Sequence, residues 1–165
     1  MSLPATSTAA VATGSRRTEL REVPLPDDAP DGGLMRVEAA GICGSDWPMY
    51  LNAKPGPRIL GHEMVGTVVE LGDIARVRWG LAEGDVVALE EYLPCGHCEY
   101  CRTGEYRSCL ETDTQFAGSV RYGSTPLSVT PGLWGGYSQY LYLHPRSVFH
   151  RVPDGIPLHV AAMAL

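Results

Sequence analysis

The chain has 165 residues, of which 44% are hydrophobic and 19% charged, and this length suits a single globular domain with a sizeable core. Its 19 acidic residues outnumber its 13 basic ones, which gives a formal net charge of −6, and the absence of Lys/Arg runs excludes the electrostatic pattern of a protein that binds nucleic acid or anionic membranes. No stretch approaches the ~18 apolar residues of a membrane span and no secretory leader pattern is present, so we expect a soluble cytoplasmic protein.

Short strands separated by turns are predicted along most of the chain, because 19 Gly and 13 Pro punctuate it. Residues 1–16 are small and polar, and we expect them to be flexible or to form an edge strand. Strand-like runs rich in β-branched and aromatic residues follow at 18–23, 34–42, 62–71, 85–92 and 136–143. This pattern predicts a mainly β domain, a barrel or a sandwich, over residues 17–152.

The first helical pattern comes at the end of the chain. A turn at residues 153–157 places Pro157 at a suitable first helical position, and residues 158–165 are apolar on every face. We expect this helix to begin a segment that packs against further protein.

Four of the five cysteines lie within fifteen residues. Cys95, Cys98, Cys101 and Cys109 have the spacing C-x2-C-x2-C-x7-C, which lets four thiolates converge on one tetrahedral Zn²⁺. Disulfides are the alternative, and an iron–sulfur cluster is disfavoured because the last gap is seven residues and Leu110 follows Cys109. The spacing predicts a closed structural zinc site that holds a lobe over residues 95–109 together and leaves His97 facing solvent.

The fifth cysteine, Cys43, and His62 lie some twenty residues apart and indicate little by themselves. The glycines include no Gly-x-Gly pair, so the sequence lacks the fingerprint of a dinucleotide-binding turn.

The surroundings of these two residues closely resemble the zinc-containing medium-chain alcohol dehydrogenases. The similarity lies in Gly61-His62-Glu63-Met64-Val65-Gly66, followed by Gly72 and Ala75, and it extends to residues 41–46, residues 84–87 and the four-cysteine lobe. It covers residues 17–165. The resemblance implies a GroES-like, partly open β-barrel with a zinc-binding lobe and few short helices, followed in the family by a Rossmann domain that binds NAD or NADP.

The same resemblance assigns roles to five residues. It makes Cys43 and His62 ligands of a catalytic zinc, with Glu63 as a further ligand or a close neighbour. It makes Ser45 the hydroxyl that takes the substrate's proton and Asp46 the carboxylate that orients the ligating imidazole, although Asp46 also suits a helix N-cap. Together with the lobe, this implies two zinc ions per chain.

Two positions depart from the family pattern. Pro48 stands where many relatives have a histidine that passes the proton to solvent. The remaining catalytic zinc ligand of the family is expected at about Leu165 or just beyond, and a leucine cannot serve as that ligand.

We therefore expect the catalytic domain of a zinc-dependent, NAD(P)-dependent alcohol or polyol dehydrogenase that acts on a small-molecule alcohol, polyol or carbonyl compound. Residues 153–165 would begin the connection towards a Rossmann domain absent from this chain, which alone would be inactive, and the full-length protein would be a homo-oligomer. The alternative is a truncated, non-catalytic zinc-binding module that retains only the fold.

Overall fold

The computed structural model describes residues 2–27, 29–52, 56–112 and 119–165. The strands described are Thr6–Gly14 (β1), Arg17–Pro24 (β2), Gly33–Gly41 (β3), Arg58–Ile59 (β4), Glu63–Leu71 (β5), Val86–Leu89 (β6), Tyr140–Leu143 (β7) and Phe149–Arg151 (β8). The α-helices are Asp46–Leu51 (α1), Asp73–Trp79 (α2), Glu99–Arg102 (α3) and Leu158–Ala161 (α4), and 3₁₀ helices span Tyr106–Ser108 and Ala162–Ala164.

The strands form two sheets that do not close into one barrel. The smaller sheet has the order β2-β1-β4, and the larger has the order β7-β3-β5-β6-β8, with antiparallel pairing throughout. This architecture confirms the predicted mainly β, partly open barrel with few short helices. All five predicted strand-like runs contain a strand, although β6 and β7 are shorter than the runs around them.

The N-terminal prediction is wrong. Residues 6–14 form β1, which lies in the middle of its sheet, pairs with β2 along its length and pairs with β4 through Val11 and Ala12. The side chains of Ser7, Ala9 and Val11 are completely buried. The domain therefore includes β1 and does not begin after residue 16.

The larger sheet carries most of the apolar core. Met35, Met64 and Leu89 lie on three neighbouring strands and are fully buried in one cluster with Trp134 and Leu141. β5 pairs with β3 on one side and with β6 on the other, so the ends of these three strands lie next to each other.

The helices are few and short, as predicted. The C-terminal helix located from its apolar pattern is present as α4, which begins one residue after Pro157 and continues as a 3₁₀ turn. Three further short helices, α1, α2 and α3, follow turns that showed no helical periodicity. None of the helices in the described part of the chain has the length and apolar character that a bilayer-spanning segment needs.

Candidate metal centres

Cys43, His62 and Glu63 meet at the end of the β3–β5 pair. Gly41, the last residue of β3, pairs with Glu63, the first residue of β5. Cys43 follows this point and His62 precedes it, so the antiparallel register alone brings them together. One ligand atom of each of the three side chains lies within 4.8 Å of the others.

Two glycines make room for this arrangement. A Cβ atom at Gly41 would collide with the Glu63 carboxylate, so a side chain at this position on β3 would displace Glu63 from its present place in the site. Gly61 has a φ of +87°, and a Cβ there would lie 2.6 Å from the Tyr137 ring. Both glycines belong to the motifs that carried the family resemblance, and the structure gives each a physical reason.

Asp46 holds the loop segments around the site. Its Oδ2 accepts hydrogen bonds from the backbone N–H of Cys43 (3.0 Å) and from the Tyr137 hydroxyl (3.0 Å). Its Oδ1 lies 3.4 Å from both the Gly61 backbone nitrogen and His62 Nδ1. Burial would raise the pKa of Asp46, but hydrogen bonds from His62 and Cys43 outweigh it and hold the pKa below its ordinary value. An ionised carboxylate on Nδ1 leaves Nε2 of His62 as the nitrogen free to bind a metal.

Ser45 lies beside the same nitrogen. Its Oγ is 3.3 Å from His62 Nε2, and it occupies the N-cap position of α1 without a capping side-chain hydrogen bond. Asp46 is therefore the first residue of the helix and not its N-cap, and its carboxylate serves the site instead. The Ser45 hydroxyl and backbone N–H, followed by His62, lower the pKa of the Cys43 thiol.

The surroundings of His62 are negatively charged and favour a cation, and a metal ion would replace the proton on Nε2 when it binds. The hydrogen bond to Asp46 raises the pKa of His62 to about 9 against the opposing effect of burial, and Cys43 and Glu91 add to this rise. A thiol that ionises readily, a carboxylate and an imidazole are all ligands that Zn²⁺ accepts. The donor set of Cys43, His62 and Glu63 therefore fits zinc.

The four-cysteine lobe has the geometry of a closed site. One sulfur from each of Cys95, Cys98, Cys101 and Cys109 lies within 4.8 Å of the others, and none of these cysteines is in a disulfide. The distances Cys95 Sγ–Cys101 Sγ and Cys98 Sγ–Cys109 Sγ are 3.9 and 4.0 Å. A tetrahedron with Zn–S bonds of about 2.3 Å has edges of about 3.8 Å, so these two distances are close to those of a zinc site.

Proton affinities within the lobe also indicate a cation site. Burial disfavours ionisation of Cys109, but hydrogen bonds led by the Cys95 backbone N–H lower its pKa to about 6. Burial and the surrounding sulfurs raise the pKa of Cys101 to about 12, despite a hydrogen bond from the Gly96 backbone. Thiolates this close repel each other, so a cation is needed before all four ionise near neutral pH. His97 is exposed, as predicted, and its Nε2 lies 2.9 Å from Glu111 Oε1.

Two cavities open onto the Cys43–His62–Glu63 site. The first, with a volume of about 170 Å³, is called the metal pocket here. Besides these three residues, the metal pocket is lined by Glu90, Glu91, Tyr92, Arg107 and Leu165. The second, of about 400 Å³, is lined by Ser45, Met49, His62, Glu91, Tyr92, Arg121, Tyr122 and Ser124. Leu165 thus lies at the metal pocket, where its side chain offers no ligand atom.

Sequence reasoning missed Tyr137 and Glu90. Tyr137 donates its hydroxyl to Asp46 and to the Gly41 carbonyl (3.1 Å), and burial together with Asp46 raises its pKa, so it remains a donor. Glu90 is buried beside the metal pocket. The sequence marks neither position, because Tyr137 lies 91 residues from Asp46 and Glu90 appears only as the polar end of a strand-like run.

Comparison with known proteins agrees with this architecture. Residues 29–154 match the family model described as the alcohol dehydrogenase GroES-like domain. A probable alcohol dehydrogenase of Mycobacterium tuberculosis is 40% identical over 157 residues, which cover 94% of this chain and 42% of that protein. An erythritol/L-threitol dehydrogenase of Mycolicibacterium smegmatis is 37% identical over 174 residues, covering 98% of this chain and 45% of that protein.

Among solved structures, acetophenone reductase from Geotrichum candidum in complex with NAD superposes with a TM-score of 0.78 at 32% sequence identity. The match covers 99% of this chain and 45% of that chain. The chain therefore spans less than half the length of the relatives it matches. The matched family model covers most of the chain, and the fold agrees with it: the protein belongs to the zinc-containing medium-chain alcohol dehydrogenase family and has that family's GroES-like domain.

Proposed function

We propose that this chain is the catalytic domain of a zinc-dependent, NAD(P)-dependent alcohol or polyol dehydrogenase. The observation that carries the proposal is the convergence of Cys43, His62 and Glu63, with Asp46 fixing the far nitrogen of the imidazole. The activity is proposed for the whole protein that contains this domain, since the relatives are more than twice as long as the matched region.

In the proposed site, zinc would supply Lewis acidity, and residues of the chain would accept the proton and orient the ligands. When bound by Cys43, His62 and Glu63, zinc supplies Lewis acidity, which lowers the pKa of a substrate hydroxyl. Ser45 Oγ lies beside His62 Nε2 and borders the larger cavity, so it is placed to accept the proton from that hydroxyl. Asp46 keeps a proton on Nδ1 of His62 and holds the ring in one orientation. The NAD in the similar reductase supports a nicotinamide as the hydride acceptor.

The larger cavity favours a hydroxylated substrate. Arg121 Nη2 lies 2.7 Å from Glu91 Oε1, the guanidinium stacks over the Tyr92 ring, and Ser45 and Ser124 add hydroxyl groups to the wall. Polar walls of this kind suit an alcohol with several hydroxyls better than a purely apolar one. This agrees with the erythritol/L-threitol specificity named for one relative. The presence of Ser45 and Asp46 beside His62 favours the enzyme over a module that only holds zinc.

Metal analysis tests the proposal on the chain itself. We expect two zinc ions per chain, one in the four-cysteine lobe and one bound by Cys43, His62 and Glu63. Cys43→Ala and His62→Ala should each reduce the zinc content to one, because each removes a proposed ligand. The exposed His159 provides the matched control, and His159→Ala should retain two. A zinc content of one with Cys43 and His62 intact would contradict the catalytic site.

A further inference from the structure

The four-cysteine lobe contributes one residue, Arg107, to the lining of the metal pocket. The 3₁₀ helix Tyr106–Ser108 lies between Cys101 and Cys109, and the Cys109 backbone N–H bonds to the Tyr106 carbonyl at 3.0 Å. Arg107 in this helix lines the metal pocket. The segment that supplies the last sulfur of the lobe therefore also contributes to the cavity of the other site.

The buried carboxylate of Glu90 is hydrogen-bonded to this helix. The Tyr106 hydroxyl donates to Glu90 Oε1 at 2.7 Å, and His150 Nε2 lies 2.9 Å from the same oxygen. Glu90 is 9% exposed, and its other oxygen, Oε2, is buried and has no hydrogen-bond partner among the residues that the structure describes. A buried carboxylate that uses one oxygen only depends strongly on the donors it has.

The strand register places Glu90 next to a proposed zinc ligand. Met64 and Leu89 are the last pair of the β5–β6 ladder; Glu63 precedes Met64, Glu90 follows Leu89, and both glutamates line the metal pocket. Opposite residues on antiparallel strands have neighbouring side chains. Tyr106 therefore donates a hydrogen bond to a carboxylate that lines the same pocket as the proposed ligand Glu63.

We propose that Tyr106 and Glu90 are positioning residues that tie the four-cysteine lobe to the Cys43–His62–Glu63 site, so that metal in the lobe strengthens metal binding in the pocket. Metal in the lobe fixes Cys109 and with it Tyr106, which keeps Glu90 and the pocket wall in place. The second metal then binds to a pocket that is already ordered, and binding to an ordered site is tighter. The effect is reciprocal, because coupling between two sites is one free energy. This inference rests on the proposed function, in that both sites must bind metal.

Titration with Co²⁺ tests the coupling without any measurement of activity. The lobe is first filled with one equivalent of Zn²⁺, and the Kd of the pocket for Co²⁺ is then measured from its visible absorption in competition with a chelator. The same Kd is measured in Cys98→Ser/Cys109→Ser, in which the lobe cannot close around a metal. We expect the pocket to bind Co²⁺ about three- to tenfold more tightly with the lobe filled, the range expected for loss of one ordering hydrogen bond.

Single-atom variants identify the connection while the lobe remains filled. Tyr106→Phe removes only the hydroxyl, and we expect it to weaken Co²⁺ binding in the pocket by a similar factor. In the background of Cys98→Ser/Cys109→Ser, Tyr106→Phe should have no further effect, because the connection is already lost. Tyr100 lies in the same lobe and is 39% exposed, so Tyr100→Phe is the matched control and should leave the pocket Kd unchanged.

The outcomes separate the two proposals. If the chain binds two metal ions but Tyr106→Phe and Tyr100→Phe give the same pocket Kd, the coupling is refuted and the proposed function stands. If the chain binds one metal ion, in the lobe only, both proposals fail.

Discussion

At the scale of single residues, the metal pocket depends on Asp46 more than its sequence context suggests. Asp46, the first residue of α1, is 4% exposed. Its carboxylate accepts hydrogen bonds from the backbone N–H groups of Cys43 and Gly61 and lies 3.4 Å from His62 Nδ1. A buried charge is tolerated only where several donors surround it. The family resemblance predicts the partner on His62, but the other donors become visible only when the chain is folded.

The variant Tyr137→Phe tests whether the donors around Asp46 contribute to stability and to zinc binding. Tyr137→Phe removes the hydroxyl that donates to Asp46 and to the Gly41 carbonyl and keeps the ring that packs on Gly61. We expect the free energy of unfolding to fall by about 1–2 kcal/mol, because a buried carboxylate loses one donor. Zinc binding in the pocket should weaken, and zinc in the lobe should be retained. Urea unfolding and zinc competition check both.

Tyr140, the first residue of β7, is half-buried like Tyr137 and provides a control for the same tyrosine-to-phenylalanine change. Tyr140→Phe should leave the pocket zinc affinity unaltered. If Tyr137→Phe matches it in both measurements, Tyr137 does not support Asp46.

At the scale of elements, the sequence predicted the strands that carry strong β-branched and apolar patterns and missed those that do not. β3 and β5 occur close to their expected bounds because each combines such residues with glycine at a turn. The sequence allowed only a flexible segment or an edge strand where the central strand β1 lies, because among its buried positions Ser7, Ala9, Val11 and Ala12 only Val11 is β-branched. Their small size instead suits a central strand between close neighbours.

Helix α2 also could not be predicted from its sequence pattern. It has seven residues, begins after Gly72 and ends at Gly80, which has a left-handed φ of 61°. Ala75 is its one buried residue, whereas Ile74 and Val77 are exposed, so no apolar stripe marks it as a helix. The four-cysteine cluster could be predicted from its spacing, which reflects coordination chemistry and does not depend on burial, whereas Cys43, His62 and Glu63 were assigned only through the family resemblance.

The four-cysteine lobe should behave as a unit that can open without unfolding the barrel. Its own secondary structure is limited to α3 and one 3₁₀ turn, so the proposed zinc would be its main source of order. Cys98→Ser should therefore lower the zinc content by one and expose residues 95–109 to trypsin, with cleavage after the exposed Arg102 and Arg107. The circular dichroism of the strands should persist. Unchanged zinc content with full resistance to trypsin would contradict a structural zinc site in the lobe.

At the scale of the whole molecule, the two sheets depend on each other through β1. Ala9 and Val11 belong to a buried cluster with Leu34 from the larger sheet and Leu133 from the segment before β7. The Ala10 backbone N–H also bonds to the Tyr137 carbonyl at 2.8 Å. β1, which the sequence pattern placed outside the domain, thus contacts both the core and Tyr137, the residue that supports Asp46.

Removal of residues 1–16 should consequently abolish folding, although the sequence alone suggests a domain that begins at residue 17. The truncated chain loses every partner of β2 and the buried side chains of β1, including Ser7, Ala9 and Val11. Loss of a central strand exposes two sheet edges and part of the core. We expect the free-energy cost to exceed the ~5–15 kcal/mol by which a domain of this size is stable. Circular dichroism and urea titration would show no cooperative transition. Removal of residues 1–4 alone leaves β1 intact and should preserve that transition with two zinc ions bound. A chain that starts at Arg17 and still unfolds cooperatively would show that β1 is not required for the barrel.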